Sequence, residues 1–259
     1  MTNQTSTSAA RLIDGYTLHA SGYTSSKTSP LPAHLRVRGD LCNNTLYWKP
    51  TQSAPEVTVR LGNVSGCRVF LGERLAGQLS ISLRENNSTI YIGNDCEFAG
   101  LELRSRQEND LIAIGNGVAV TGPGTWISGL RSMADKTPHI IVGDCCLFSR
   151  DVLLRNTDGH PVYSLHNDGF LNATEKSIVI EPHAWMGERC AILKGVTIGA
   201  FARIALGAVV TKTVPRFAIA AGVPAQCRIE PDRYWSWEAT PESRARARAL
   251  VERFPPTDA

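Results

Sequence analysis

The sequence predicts a β-solenoid, and three observations carry the prediction. Ile180, Met186, Ile192, Ile198, Ile204 and Val210 recur every six residues without a slip. Four residues after each stands a small or β-branched one: Ala184, Cys190, Val196, Ala202, Ala208 and Val214. The same grammar returns earlier in degraded form, in Leu61-Gly-Asn63, Ile90-Tyr-Ile-Gly-Asn-Asp-Cys96, Ile112-Ala-Ile-Gly-Asn116 and Ile140-Ile-Val-Gly-Asp-Cys146. Neither a helix repeat of about 3.6 residues nor a strand repeat of about 2 sustains a period of six, so it belongs to a larger unit that stacks on itself. Short strands joined by tight bends fit, each hexad forming one side of a triangular coil with its first residue pointing into a narrow axial core.

Residues 1–34 are rich in Ser, Thr, Gly and Pro, with a hint of a strand only from Arg11 to Ala20. They are expected to be partly disordered or to blunt the first coil. The solenoid is expected to span residues 35–229, interrupted by turn-rich insertions at Arg104 to Asp110, Gly122 to Pro138 and Arg155 to Lys176; such excursions from a repeat tend to shape a site. Residues 230–259 read as a helical cap. Thr240-Pro241-Glu242 combines an N-cap with a first-turn proline, the helix should end near Phe254, and Ala247, Leu250, Val251 and Phe254 share its apolar side.

Composition narrows the functional classes. At 259 residues and 42% hydrophobic content the chain can bury a substantial core, and a net charge of +3 does not indicate polyanion or nucleic-acid binding. The polar start, Met1-Thr-Asn-Gln-Thr-Ser-Thr-Ser, lacks the basic and apolar stretches of a signal peptide, and nothing approaches membrane-spanning length, so a soluble cytoplasmic protein is expected. Of the seven cysteines, Cys96, Cys146 and Cys190 each follow an apolar corner residue by four and read as small buried hydrophobes.

Ile198-Gly-Ala-Phe-Ala-Arg-Ile204, Gly207-Ala-Val-Val-Thr-Lys212 and Ala221-Gly-Val-Pro-Ala225 resemble the hexapeptide-repeat acyltransferases. The resemblance implies an all-β, left-handed parallel β-helix with a short C-terminal α-helix, an exception to the right-handed rule for parallel crossovers. It also implies acetyl-CoA as donor and a homotrimer with active sites between subunits. Leu154-Arg-Asn-Thr-Asp-Gly-His-Pro-Val-Tyr163 is similar to the Ser/Thr-Asp-x-His-Pro/Ser segment of the branch that acetylates sugars in surface polysaccharides. In that branch the histidine is the catalytic base, a role that falls here on His160. An imidazole suits the step, because moving an acyl group from a thioester to an alcohol needs a base of near-neutral pKa. The competing reading of Asp-Gly-His-Pro is a turn that bonds only to itself. Asp158 is a candidate to orient the imidazole, or else opens the loop as an Asx-turn, and Asn156 could do the same work through its amide. Asn156, Tyr163 and His183 are the candidate acceptor-side residues.

On the donor side, Trp185 matches the family's Val-Trp-Ile-Gly tryptophan and is expected to wall the cleft. Backbone groups of Gly187, Ala205 and Gly207 would pair with the pantetheine arm, and Lys212 and Arg228 would meet the nucleotide phosphates. Ala205-Leu206, Ala208 and Glu181-Pro182 stand where Gly-Ala, Ser, and Gly-Asp or Gly-Asn are usual. These departures thin the donor site, a lost hydroxyl removing on the order of 1 kcal/mol. No metal is expected. A zinc hydrase would need three imidazoles about 2.0–2.1 Å from one ion, and the spacing of His160, His166 and His183 does not resemble that branch. N-acetylation of an amino sugar would use the same donor and base, and a non-enzymatic β-helical scaffold would share the hexads but needs no histidine loop.

Overall fold

The computed structural model describes residues 22–50, 55–129, 138–173 and 176–256. Their strands wind into a solenoid with three flat faces. On the first face Thr45–Trp48, Arg68–Leu71, Thr89–Ile92, Leu111–Ile114, Ile140–Val142, Ile178–Ile180 and Thr197–Ile198 pair in parallel, in that order. The second face stacks the starts of Ala76–Leu83 and Glu97–Ser105 with Ala119–Val120, Leu147–Phe148, Trp185–Met186, Arg203–Ile204 and Ala218–Gly222. The third stacks Leu35–Arg38, Glu56–Leu61, the ends of those two long strands, Gly124–Ser128, Val152–Arg155, Ala191–Leu193 and Val209–Val210. The two long strands turn the corner between the second and third faces, with Gly77 and Gly100 at positive φ, and join them into one sheet.

Register gathers the apolar residues into columns. Leu71, Ile92, Ile114, Val142, Ile180 and Ile198 lie over one another. So do Phe98, Val120, Phe148, Met186 and Ile204 on the second face, and Leu103, Trp126, Leu154, Ile192 and Val210 on the third. All six residues of the hexad series fall in these columns and are at most 3% exposed. The small residues four positions on, from Ala184 to Val214, are buried beside them. Cys96, Cys146 and Cys190 are buried free thiols as expected. Burial pushes the Cys96 and Cys190 thiols up to about 12, which removes their nucleophilic form near neutral pH. After the first face the coils come so close that a Cβ on Gly93 would lie 2.6 Å from the carbonyl of Gly115, so that position admits no side chain.

The predicted interruptions are narrower than expected. Arg104 and Ser105 close a strand, and Gln107 and Asp110 are buried at a corner, so Arg104 to Asp110 is part of the coil. Within Gly122 to Pro138, Gly124–Ser128 is a regular third-face strand, and residues 130–137 lie outside the described ones. Glu181, read as a loss of donor-site polarity, is buried and links two coils. Its carboxylate accepts from Arg216 Nε at 2.6 Å, Arg216 Nη2 at 2.9 Å and the Ala200 N–H at 2.9 Å.

Both ends of the stack carry antiparallel pairs. Thr24–Ser25 covers Tyr47 and Trp48 on the first face and Ala225–Ile229 folds back on Ala218–Gly222 on the second, while Leu35–Arg38 and Val209–Val210 end the third face. Most of residues 1–34 lies outside the described residues. The helix runs Pro241–Arg253, with Thr240 Oγ1 accepting the Ser243 N–H at 3.2 Å, and ends at Phe254. Ala247, Leu250, Val251 and Phe254 pack against Ala200, Phe201 and Phe217 of the last coils. Phe148, fully buried with its ring 4.6 Å from that of Trp126, tests the column packing. Phe148→Ala should cost about 3–5 kcal/mol in denaturant unfolding, against about 0.5 kcal/mol or less for Glu97→Ala on the outside of the same face.

Candidate active site

The segment after the third-face strand Val152–Arg155 leaves the stack as a projecting arm. Arg155 Nε donates to the Thr157 carbonyl at 3.0 Å, and Gly159 takes φ +88° as the chain folds over that guanidinium. It is this left-handed backbone that calls for glycine, since the Arg155 Nη2 that a Cβ would meet at 2.5 Å is the movable end of a long side chain. Beyond it the chain forms a hairpin: Tyr163 bridges Phe170, their rings 5.8 Å apart, and Leu171 N–H donates to the Val162 carbonyl at 2.8 Å. His160 sits at the base of this hairpin, exposed, and its imidazole has no hydrogen-bond partner among the described residues. Tyr163 is exposed further out on the arm.

Asp158 does not orient His160. Its Oδ2 accepts from Lys194 Nζ, and from Asn172 Nδ2 at 2.8 Å. Partial burial opposes ionisation, but the Lys194 ammonium and the Asn172 amide outweigh it and hold the carboxyl below the usual carboxylate range. Asn156 is also corrected. It is fully buried, its Oδ1 accepting from Gly129 N–H at 2.8 Å and its Nδ2 donating to Ser128 Oγ at 2.8 Å and the Pro138 carbonyl at 2.7 Å. Its amide anchors the root of the arm and has no group left for a substrate or for His160. Ser128 in turn donates to Asp110 Oδ1 at 2.6 Å.

His183 is 2% exposed, so it does not line a groove. Its ring stacks on Trp235 at 4.1 Å and 19°, its Nε2 lies 2.9 Å from the Trp235 carbonyl, and Trp235 Nε1 donates to the His183 carbonyl at 2.9 Å. This reciprocal pair straps residues 230–240 to the solenoid. His166 is exposed on the arm, and among the described residues no group of three or more His, Cys, Asp or Glu is placed to hold a metal ion.

The second face presents a different outer surface. Leu147, Trp185, Arg203, Ile219 and Arg228 occupy one outward column. Trp185 is 39% exposed and lies 5.9 Å from Trp235, which is 5.8 Å from Trp237. Above them Glu230 is held by Arg203, by Arg228 Nη2 at 2.5 Å and by Arg233 Nη1 at 3.6 Å. The hydrogen bond from Arg203 keeps the Glu230 carboxyl low and ionised. One acid among three guanidiniums leaves the cluster cationic. Arg203 and Arg233 were missed in the sequence, although the hexad register places Arg203 directly over Trp185. Lys212 is exposed at a corner of the last regular coil.

The N–H groups of Gly187, Ala205 and Gly207 are not open to a ligand. They donate to the Ile204, Ala220 and Glu188 carbonyls at 2.8 Å each. Gly187 is required by packing, since a Cβ there would lie 2.6 Å from the Ile204 carbonyl oxygen. Leu206, 69% exposed between Ala205 and Gly207, is the residue of that corner turned to solvent. Ala208 is fully buried, so the hydroxyl counted as missing there would point into the core and not at a donor.

A stacked hexapeptide solenoid that carries a projecting histidine arm and, on another face, an exposed tryptophan defines a class. The chain resembles the hexapeptide-repeat acyltransferases, and its relatives include proteins named polysialic acid O-acetyltransferase and galactoside O-acetyltransferase. It is 33% identical over 130 residues to a polysialic acid O-acetyltransferase of Escherichia coli O1:K1, covering 50% of this chain and 42% of that one. The figure for the polysialic acid O-acetyltransferase of Neisseria meningitidis is 29% over 136 residues, 47% of this chain and 62% of that one. A galactoside O-acetyltransferase of Escherichia coli K12 is 38% identical over 91 residues, 35% of this chain and 42% of that one. The matches thus span about half the length of these relatives. Among solved structures, the polySia specific acetyltransferase NeuO superposes with a TM-score of 0.75 at 21% identity, covering 89% of this chain and 95% of that one. The polysialic acid O-acetyltransferase OatWY gives 0.59 at 22%, covering 85% and 95%. At these identities the superpositions speak to fold. No protein-family model matches the chain.

The buried His183 makes the strap sensitive to pH. Burial lowers its pKa, against the bond to the Trp235 carbonyl, and its Nδ1 has no hydrogen-bond partner. Below the unfolded pKa of about 6.5 the unfolded chain therefore binds the extra proton first, so stability falls as pH drops toward the folded pKa and is unaffected above about 6.5. Thermal unfolding followed by tryptophan fluorescence should lose more between about pH 7.5 and about pH 5.5 in the wild type than in His183→Phe. Equal losses would clear His183 of the effect.

Proposed function

We propose that this chain is an acetyl-CoA-dependent O-acetyltransferase that acts on a sugar hydroxyl, with His160 as general base. The observation that carries the reading is the exposed imidazole of His160, unpaired among the described residues, on an arm whose backbone is fastened to the solenoid. The acceptor oxygen attacks the thioester carbon as an imidazole nitrogen takes its proton. The C–S bond then breaks, and the imidazolium returns the proton to the departing coenzyme A thiolate. No covalent acyl-enzyme is needed. Trp185 gives the thioester an apolar wall, and the cationic group of Arg203, Arg228 and Arg233, with Lys212, offers partners for nucleotide phosphates.

The reading includes a left-handed coil, a cytoplasmic setting that suits free cysteines, and a homotrimer in which His160 faces Trp185 of the partner subunit. Val162, Tyr163, Leu165, Phe170 and Leu171 stand exposed along the arm, with Leu165 at 101%, which fits an arm that seats on a neighbouring copy. Polysialic acid and galactosides, named for the relatives, are the acceptors to try first.

Calorimetry should detect acetyl-CoA binding, and no binding at about millimolar donor would remove the acyltransferase reading. His160→Ala should lower turnover at least about 10²-fold with donor affinity unchanged. Wild-type turnover in that variant would exclude His160 as the base. Light scattering should give a trimer, and a fully active monomer would contradict the shared site.

A further inference from the structure

The main chain of His160 forms one hydrogen bond among the described residues, and it comes from a residue twelve positions away. Asn172 Nδ2 donates to the His160 carbonyl at 3.0 Å. The same Nδ2 donates to Asp158 Oδ2 at 2.8 Å, and Asn172 Oδ1 accepts the Val162 N–H at 2.7 Å. One carboxamide thus ties three alternate residues, 158, 160 and 162, as a neighbouring strand would. Asn172 is itself anchored: Lys194 Nζ donates to its carbonyl at 3.0 Å and also to Asp158 Oδ2. Lys194 directly follows the third-face strand Ala191–Leu193, so the tie runs back to the rigid stack.

We infer that Asn172, anchored through Lys194, is the positioning residue for His160. The inference rests on the base reading above and adds what holds the backbone that carries the imidazole. The chemistry is specific to a carboxamide at this length, because it supplies two N–H donors and an acceptor from one planar group. Aspartate has the same size but only accepts, and would set a second carboxylate against Asp158. A serine or alanine would leave the His160 carbonyl and the Val162 amide to water. The hairpin beyond would persist through its own Tyr163–Phe170 bridge, while the backbone under the base would lose its fixed place. Misplacement by about 1 Å is enough to cost up to about 10²-fold in rate.

The test is a set of variants assayed for kcat and for KM toward acetyl-CoA, with polysialic acid as acceptor probe and with water as acceptor if that polymer is not used. Asn172→Ala should lower kcat about 10-fold or more and leave KM for acetyl-CoA within about twofold. Asn172→Asp should be at least as damaging, and Asp158→Asn added to it should recover part of the loss, because a donor again faces an acceptor and the paired carboxylates are gone. A residue that merely stabilised the arm would move KM and the melting temperature together. Wild-type kcat in Asn172→Ala, alongside a collapsed kcat in His160→Ala, would overturn the inference and leave the base reading standing. If His160→Ala is itself fully active, the base reading falls, and the ring resonances of His160 in a histidine-labelled sample decide the inference. A His160 signal shifted or broadened in Asn172→Ala upholds positioning, and an unchanged one overturns it.

Discussion

In a parallel solenoid the backbone groups of each strand are satisfied by the coils above and below, at a spacing of about 4.8 Å. Every coil must therefore return to the same three lines, whatever the chain does between them. That demand puts Ile114, Val142 and Ile180 in one column although the intervening segments differ widely in length. It also places outward residues in columns, so Trp185, Arg203 and Arg228 share a surface because Met186, Ile204 and their neighbours share a core. The outer surface and the packing are two sides of the same register.

The corner between the third and first faces shows how the stack accommodates polar groups. Ser105 donates to Ser88, Asn44 bonds the Val64 carbonyl and the Cys67 N–H, and Ser128 links Asp110 to Asn156. Each of these side chains meets a partner on its own or a neighbouring coil, the condition under which burying it is tolerable, while Asp110 Oδ2 is buried with none among the described residues. Asn156 is the last of the series, and the arm that carries His160 starts from it. The arm is thus rooted in a part of the core where rotation of one amide would strand several others.

Much of the fold was legible because the repeat is a one-dimensional signal: residues Ile180 to Val214 state their own spacing, and Thr240-Pro241 announces the helix. His160 was legible as a break in that rhythm. What the sequence could not show was where side chains turn at corners. Glu181-Pro182, standing where Gly-Asp or Gly-Asn is usual, looked like a thinning of the donor site, and Glu181 is an ion pair with Arg216. His183 looked like a surface residue of its coil and is sealed under Trp235, a contact made across a long sequence separation that no hexad predicts. Asp158 and Asn156 were the near neighbours of His160 in sequence, yet the partner that holds its carbonyl, Asn172, comes from the returning limb of the hairpin. Sequence proximity is a poor guide wherever a loop folds back on its own base.

The unequal coils carry a further consequence. The arm leaves the third face after Arg155 and the chain re-enters the first face at Ile178, at a corner whose two ends are fixed by the stack and not by the residues between. For such a closed excursion the entropic cost of extra length rises only logarithmically, by about 0.6 kcal/mol per doubling. The core is therefore nearly indifferent to what is inserted at this corner or at the one after Ser128. Variation in these segments can change what the protein grips while the surface of Trp185 and its arginines stays as it is, so one half of the site can diversify without renegotiating the other.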